Sequence, residues 1–275
     1  MTTLAAVQEA VKKAARKMVI LAVANRKGGV GKSGTCVGVA HAAIDKKLRV
    51  LLVDLDPQRN FSNSFLPTGA HEGEASSSLM LFADGATIVP EVLQPGVAII
   101  RAVEELSQLV TPPSAQDLKR VSRYLRQFEN DFDLCIIDTP GVLGINPPMT
   151  IAGLIAADVV VCPFTVGLFE ADAVSDLWKY LGTVKRQFNP KLRLMGLLPS
   201  KINTRSSEEM RALEDLRARH GKNILPLILA ERASVKQAIT KRKPVWQSVR
   251  GAGHKVAAAE WRTATDYILN NLGGF

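Results

Sequence analysis

Three glycines lie between two lysines near the start of the chain. Residues 19–33 read VILAVANRKGGVGKS, an apolar run that breaks into this turn. Glycine permits close approaches that a side chain would block, so such a loop can turn its N–H groups onto a polyphosphate. Lys32 can then reach the terminal phosphates, and Ser33 can offer its hydroxyl to Mg²⁺. The candidate nucleotide-binding residues are Lys27, Gly28, Gly29, Val30, Gly31, Lys32, Ser33 and Gly34.

Two later apolar runs end in aspartate. RVLLVD, residues 49–54, leads into LDPQRN, and FDLCIID, residues 132–138, leads into TPG. Carboxylates at the carboxyl ends of parallel strands lie where α/β folds bind their ligands. Asp138 can hold a water molecule on Mg²⁺, and the glycine amide of Gly141 can sense a terminal phosphate. The order of these features along the chain therefore predicts a nucleoside triphosphate site.

Apolar strands alternate with helical stretches along most of the chain. Near-continuous apolar strands are typical of parallel sheets that are buried on both faces. We therefore predict an α/β fold, a mostly parallel twisted sheet with helices on both faces. The predicted strands are 19–24, 49–54, 97–101, 132–138, 157–163 and 192–199, and the predicted helices are 33–46, 76–82, 115–128, 149–155, 170–188 and 206–220.

The phosphate loop departs from the common pattern G-x-x-x-x-G-K-[ST] at its first position, which is Arg26. Lys27 follows, and KGGVGKS resembles the deviant Walker A box of the ParA/MinD family of ATPases, in which the early lysine is the signature. DLDPQRN resembles the family's second box, D-x-D-P-Q-G-N, with Arg59 in place of glycine, and DTPG resembles D-T-P-P. The resemblance extends from Met18 to Val245 and implies a deviant P-loop NTPase that uses ATP and Mg²⁺.

The resemblance also implies catalytic roles for Lys27, Lys32 and Asp56. Lys27 of one subunit would reach across a face-to-face dimer to the nucleotide of the other, and Lys32 would contact the phosphates of its own nucleotide. Asp56 would help to place the attacking water. Asp54 would support either the switch or the metal shell.

Metal and base contacts follow from the same resemblance. Ser33 would bind Mg²⁺, and Asp138 would hold it through a water molecule. Asn203 and Pro226 would lie near the adenine. The guanine-reading motif N-K-x-D does not occur in the sequence, which favours ATP over GTP.

The chain is basic, with 35 Lys and Arg against 26 Asp and Glu and a formal net charge of +9. This excess suggests a polyanionic partner, although a solvated basic surface is the alternative. The densest basic segment is 232–262. Non-specific DNA binding needs charge and reach rather than a motif. The candidate DNA-binding residues are Arg232, Lys236, Lys241, Arg242, Lys243 and Arg250.

Length and composition indicate a soluble globular protein. The chain has 275 residues, 47% of them hydrophobic, with no apolar run of membrane-spanning length and no signal peptide, so we expect it in the cytoplasm. The three cysteines form no disulfide framework, and we expect them to be reduced core residues. Residues 1–17 are predicted to form a basic amphipathic helix ahead of an ATPase domain at 18–275, a helix too short to be a helix-turn-helix.

The favoured function is that of a ParA-type DNA partition ATPase without an N-terminal helix-turn-helix domain. The resemblance implies an ATP-dependent homodimer that binds nucleoid DNA non-specifically, and slow hydrolysis stimulated by a centromere-binding or cargo adaptor protein. A MinD-like membrane-positioning ATPase is one alternative, but the terminal segment WRTATDYILNNLGGF holds one basic residue, so a membrane partner is not expected. A small-molecule synthetase on the same fold is the other alternative.

Overall fold

The computed structural model describes residues 17–66, 74–109, 114–142, 148–166 and 170–273. The helix predicted for residues 1–17 lies outside these ranges, apart from Lys17. The strands are β1 Val19–Val23, β2 Val50–Asp54, β3 Glu91–Gln94, β4 Val97–Ile100, β5 Leu134–Asp138, β6 Val159–Phe164, β7 Arg193–Ile202 and β8 Leu229–Ala230. The α-helices are α1 Lys32–Asp45, α2 Asn60–Asn63, α3 Ala115–Leu125, α4 Met149–Ala156, α5 Glu170–Gln187, α6 Ser207–His220, α7 Ala233–Thr240 and α8 Gly251–Asn270. Short 3₁₀ helices lie at Ser78–Phe82, Glu104–Gln108, Arg126–Phe128 and Gly221–Asn223.

The eight strands of the described residues form one sheet in the order β3-β4-β2-β5-β1-β6-β7-β8. Every pairing among them is parallel except that of β3 with β4. Strands β1, β2, β4, β5 and β6 are buried along their whole length. The predicted α/β class is therefore confirmed, because continuous apolar strands need cover on both faces.

Strand register brings the chemical residues to one edge of this sheet. Val23, which ends β1, is paired with Asp138, which ends β5. Asp54, which ends β2, is also paired with Asp138. The glycine turn that follows β1 and the two aspartates therefore meet at the carboxyl edge of three adjacent strands, where parallel sheets bind ligands.

Alternate strand residues face two separate hydrophobic clusters. One face of the sheet packs under α3, α4 and α5, and the other packs under α1, α7 and α8. Cys36, Cys135 and Cys162 are buried and carry no disulfide, as predicted. Burial raises the pKa of each thiol, which keeps these cysteines in the neutral form that suits an apolar core.

The structure contains elements that the sequence pattern did not predict. The pattern placed no strand at β3 or β8 and no helix at α7 or α8. The helix expected at 76–82 is a 3₁₀ helix at Ser78–Phe82, and the helix expected at 115–128 leaves the α conformation after Leu125. The unpredicted α7 and α8 matter for function, because both border the cavity described below.

Candidate functional site

The loop between β1 and α1 requires glycine at two positions. Gly29 has φ +77° and Gly31 has φ +97°, a region that other residues rarely adopt. A Cβ atom at Gly31 would also lie 2.6 Å from the Oγ atom of Ser200. These two glycines therefore let the chain reverse at the start of α1 while β7 packs closely against it.

Helix α1 offers its positive end to this loop. Its N-cap, Gly31, provides no side-chain cap, and the first turn contains no acidic residue. The first N–H groups of a helix and its dipole both attract anions. The start of α1 is therefore a suitable site for phosphate.

Lys32 lies in the first turn of α1 and is only 7% exposed. Its Nζ atom donates a hydrogen bond to the carbonyl oxygen of Lys27, at 3.0 Å. Burial lowers the pKa of Lys32, although the carboxylates of Asp138 and Asp56 partly oppose the shift. A phosphate group at this position would favour the charged ammonium and so oppose the effect of burial on the pKa of Lys32.

Asp54 holds the loop that carries Asp56. One carboxylate oxygen of Asp54 accepts from the backbone N–H of Asp56 at 3.0 Å. The other accepts from the backbone N–H and the hydroxyl of Ser62, at 2.8 and 2.7 Å. Burial raises the pKa of Asp54 to about 6. Of the two roles considered for Asp54, these bonds favour support of the loop.

Asp138 is fully buried, and neither of its carboxylate oxygens has a hydrogen-bond partner of ordinary geometry among the described residues. Burial raises the pKa of Asp138 well above its usual range, and the charge of Asp54 adds to the rise, whereas Ser33 and Lys32 lower it. Buried polar atoms normally have partners. Two oxygens without partners beside the Ser33 hydroxyl fit a Mg²⁺ ion held directly by Ser33 and through water by Asp138.

Asp56 and Arg59 follow β2 on the same loop. Asp56 is half-buried, and its Oδ1 atom accepts from the backbone N–H of Gln58 at 3.0 Å. Arg59 adopts the left-handed conformation, with φ 59°, and its guanidinium lies 3.5 Å from Glu104. The family pattern has glycine at this position, and the arginine therefore keeps the backbone conformation that glycine would adopt more easily.

Gly141 stands where the family pattern more often has proline. A Cβ atom on Gly141 would lie 3.1 Å from the backbone nitrogen of Gly28 and 3.3 Å from Nζ of Lys32. The turn after Asp138 therefore packs directly against the phosphate loop. This contact gives the two loops a route by which one can respond to the other.

A cavity of about 770 Å³ opens over the phosphate loop. Of the predicted nucleotide-binding and catalytic residues it is bordered by Gly28, Gly29, Gly31, Lys32, Ser33, Gly34 and Asp56, and two candidate DNA-binding residues, Arg232 and Lys236, also border it. An apolar part of its wall comes from Leu229 and Ala230 of β8, Val235 and Ile239 of α7, and Trp261 of α8. The volume suits a nucleotide-sized ligand. Sequence reasoning missed this wall because it did not predict the elements that carry it.

The remaining nucleotide candidates lie elsewhere. The exposed Lys27 and the buried Val30 are not among the residues that border the cavity. Asn203 borders a second cavity, of about 790 Å³, and its side-chain oxygen accepts from the backbone N–H of Arg205. Pro226 is exposed and borders neither cavity. The structure therefore does not bring Asn203 and Pro226 to the cavity with the phosphate loop, and the assignment of both to adenine stays a prediction.

The candidate DNA-binding residues separate into two groups. Arg232 is paired with Glu260, with Nη2 and Oε1 2.5 Å apart, and Lys236 is paired with Glu231 at 2.9 Å. Arg242 is exposed, and its Nε atom donates to the carbonyl oxygen of Asn63. The other candidates are exposed at the mouth of the second cavity: Lys241, Lys243 and Arg250. Lys241, Lys243 and Arg250 therefore present their positive charge to solvent more directly than the other candidates do.

Comparison with known proteins places this site in a family. A family model described as an AAA domain matches residues 18–194. The protein IncC of Escherichia coli is 30% identical over 262 residues, which cover 93% of this chain and 70% of IncC. The chromosome partitioning protein ParA of Caulobacter vibrioides is 28% identical, over 84% of this chain and 87% of its own length. The chain belongs to the ParA family.

A solved structure agrees with this membership in fold and in ligand. The cobyrinic acid a,c-diamide synthase of Mycobacterium smegmatis, crystallised with an ATP analogue and magnesium, matches with a TM-score of 0.70 and 27% identity, over 92% of this chain and 95% of the other. In the part of the chain that the structure describes, no helix has the length and apolar character needed to cross a membrane. The ParA-family relatives support a partition ATPase as the general function.

Proposed function

We propose that this ParA-family protein is a partition ATPase that dimerises when it binds ATP and Mg²⁺. The dimer binds DNA without sequence preference, in the cytoplasm and on the nucleoid. A centromere-binding or cargo adaptor protein stimulates slow hydrolysis, after which the dimer separates and leaves the DNA. The observation that carries the proposal is the buried Lys32, which lies at the start of α1 beside the glycine loop and near the carboxylates of Asp138 and Asp56.

Phosphate binding follows from the charges at the loop. Lys32 and the N–H groups of α1 would bind the phosphates, and Ser33 with Asp138 would hold Mg²⁺, which neutralises charge on the phosphates when it is bound. Lys27 lies on the exposed rim of the same loop. A second subunit that faces this rim could therefore receive Lys27 against its own nucleotide, which would make dimerisation depend on ATP.

Hydrolysis requires a positioned water molecule. Asp56 borders the cavity, and its backbone N–H donates a hydrogen bond to Asp54, which fixes the position of the loop. Its carboxylate can therefore accept a hydrogen bond from a water near the terminal phosphate. Because Gly141 packs against Gly28, loss of that phosphate can also move the turn after Asp138.

DNA binding is supported by the net charge of +9 and by the exposed residues Lys241, Lys243 and Arg250. A dimer would combine two such surfaces. Neutralising several phosphates at once releases counterions, so the affinity of a dimer would exceed that of a monomer and would fall steeply with salt.

ATP binding, ATP turnover and DNA gel shifts test the proposal together. Lys32→Ala should abolish ATP binding, whereas the matched exposed-lysine variant Lys191→Ala should leave it unchanged. Asp56→Ala should bind ATP, lose turnover and remain on DNA as a dimer. Unchanged turnover in Asp56→Ala would remove the water assignment. Equal DNA binding with and without ATP would contradict the proposed switch.

A small-molecule synthetase is the second candidate function, favoured by the 27% identity with the synthase of known structure. The two candidates differ in what stimulates ATP turnover. A partition ATPase should hydrolyse ATP without an organic substrate and respond to DNA together with an adaptor protein. A synthetase should show little turnover until its own substrate is supplied.

The MinD-like alternative is weakened by the packing of α8. Trp261, Ile268 and Leu269 of this helix are buried against α1 and the sheet. The apolar side of α8 is therefore already covered and cannot also enter a bilayer. Liposome flotation and DNA-binding assays on the same protein would distinguish a membrane-binding ATPase from a DNA-binding one.

A further inference from the structure

Helix α1 contains two glycines one turn apart, and the indole of Trp261 fills the space that they leave. A Cβ atom at Gly38 would lie 2.6 and 2.7 Å from Cζ3 and Cε3 of Trp261. A Cβ atom at Gly34 would lie 3.8 Å from Cη2 of the same ring. Glycine inside a helix weakens it relative to alanine, and Gly38, where a Cβ atom would overlap the ring, therefore indicates a close approach by α8. At Gly34 a Cβ atom would make only ordinary van der Waals contact with the ring.

This contact reaches the first turn of the phosphate-binding helix. Gly34 follows Ser33 directly, and Trp261 is 6% exposed while it borders the cavity above the loop. Helix α8 therefore packs closely against α1 at Gly38, and its Trp261 borders the same cavity as Ser33 and Gly34. The Nε1 atom of Trp261 is buried and has no hydrogen-bond partner among the described residues, so packing of the ring, rather than a polar bond, holds this side chain.

A separate set of contacts joins α8, through Arg262, and the segment before it, through Trp246, to the other end of α1. Trp246 Nε1 donates to Asp45 Oδ2 at 2.8 Å, and Arg262 forms an ion pair with the same oxygen at 2.8 Å. The Arg262 guanidinium also stacks on the Trp246 ring, 4.2 Å from its centre. These contacts lie at the last residue of α1, more than two turns from Gly34, and Trp246 does not border the cavity.

We propose that Trp261 is a positioning residue of the nucleotide site. Its ring, seated against Gly34 and Gly38, fixes the first turn of α1 and forms part of the cavity wall. Nucleotide binding and the docking of α8 on α1 are thereby coupled. Close-packed interiors transmit small displacements, and a shift of the first turn would move the N–H groups that face the phosphates. The inference rests on the proposed ATP binding and adds a residue that the three nucleotide boxes do not contain.

The first test compares Trp261→Leu with the matched control Trp246→Phe. Both variants weaken the contact between α8 and α1, but only the first alters the end that carries the phosphate site. We expect Trp261→Leu to raise the Kd for Mg-ATP by about tenfold or more and Trp246→Phe to change it less than about twofold. Calorimetry would give Kd, and urea unfolding would give stability. Equal stability losses with an unchanged Kd in Trp261→Leu would overturn the inference.

The glycine groove supplies a second test. Gly38→Ala places a methyl group against the Trp261 ring and should weaken ATP binding in the natural background. The same substitution should have no further effect in Trp261→Leu, because the overlapping ring is gone. Additive effects of the two substitutions on Kd would contradict the proposed contact.

If the Trp261 variants do not fold, tryptophan fluorescence tests the inference with Trp261 left in place. In the variant Trp178→Phe/Trp246→Phe, Trp261 is the only tryptophan, and its fluorescence should change when Mg-ATP fills the cavity beside it. Unchanged emission at saturating Mg-ATP, with binding confirmed by calorimetry, would overturn the inference alone. Failure of the natural chain to bind Mg-ATP would instead overturn the proposed function.

Discussion

Alanine substitutions in the phosphate loop separate backbone strain from steric overlap. Among the described residues, no atom lies within 4 Å of where a Cβ atom on Gly28 would be, and the φ of Gly28 is not left-handed. Gly29 also has open space around its Cβ position but has φ +77°. Gly31 combines φ +97° with an approach of 2.6 Å to Oγ of Ser200. Alanine should therefore meet neither backbone strain nor steric overlap at Gly28, strain alone at Gly29, and both strain and overlap at Gly31.

The expected losses of unfolding free energy follow this order. Gly28→Ala should change stability by less than about 0.5 kcal/mol, as for an ordinary surface position. Gly29→Ala should cost about 1–2 kcal/mol, because an L-residue is strained in the left-handed region. Gly31→Ala should add an overpacking cost of about 1–3 kcal/mol to that strain, for a total of about 2–5 kcal/mol.

Urea unfolding of the three variants measures these losses, and Ser200→Ala isolates the overlap. Without Oγ, the nearest atom to the new methyl group is Cβ of residue 200, at 3.8 Å, which is ordinary van der Waals contact. Gly31→Ala/Ser200→Ala should therefore recover to the level of Gly29→Ala. Equal losses in all three single variants, or no recovery in the double variant, would refute the reasoning.

Three further predictions concern charge and backbone conformation. The pKa of Asp54 is about 6 in the fold and about 3.9 in an unfolded chain, so its contribution to stability is fully present below pH 4 and declines by about 3 kcal/mol as the pH rises through 6. Asp54→Asn should remove that decline, measured by urea unfolding between pH 4 and 7, and an identical pH profile would contradict the assignment. Arg59→Gly should be neutral or stabilising in thermal unfolding because φ is 59°, whereas the helical control Arg123→Gly should lose about 1 kcal/mol. Arg250→Ala should weaken DNA binding on every sequence and lower the slope of log affinity against log salt by about 1, and a sequence-dependent loss would exclude a backbone contact.

The sheet and the phosphate loop could be predicted because their signals are local. Five of the strands are buried along their length and are apolar apart from the aspartates that end β2 and β5, and the loop glycines follow the first of these strands. β8 has two residues, too few for any periodic pattern. The sequence of α8 is rich in alanine, so its apolar side becomes evident only where it covers α1.

The hydrogen-bond and ion-pair partners of single side chains could not be predicted from the sequence, for a different reason. Arg232 and Glu260 are 28 positions apart, and the charge pattern alone cannot show that they are paired. Asp54 and Asp138 both end apolar strands, yet one is saturated with hydrogen bonds and the other has no partner of ordinary geometry among the described residues. Local pattern gives the type and position of such groups, and only the packed structure assigns their roles.

The buried groups Lys32 and Asp138 carry opposite charges that match the two parts of a Mg-ATP complex. Burial lowers the pKa of Lys32 and raises that of Asp138, so burial acts against the charged form of each group, although each partly offsets this effect for the other. Phosphate beside Lys32 favours the ammonium, and a cation beside Asp138 favours the carboxylate. A bound phosphate would therefore raise the pKa of Lys32, and a bound Mg²⁺ would lower that of Asp138. Each part of a Mg-ATP complex would thus oppose the effect of burial on one of these two groups, which is why the buried lysine and the buried aspartate suit the same ligand.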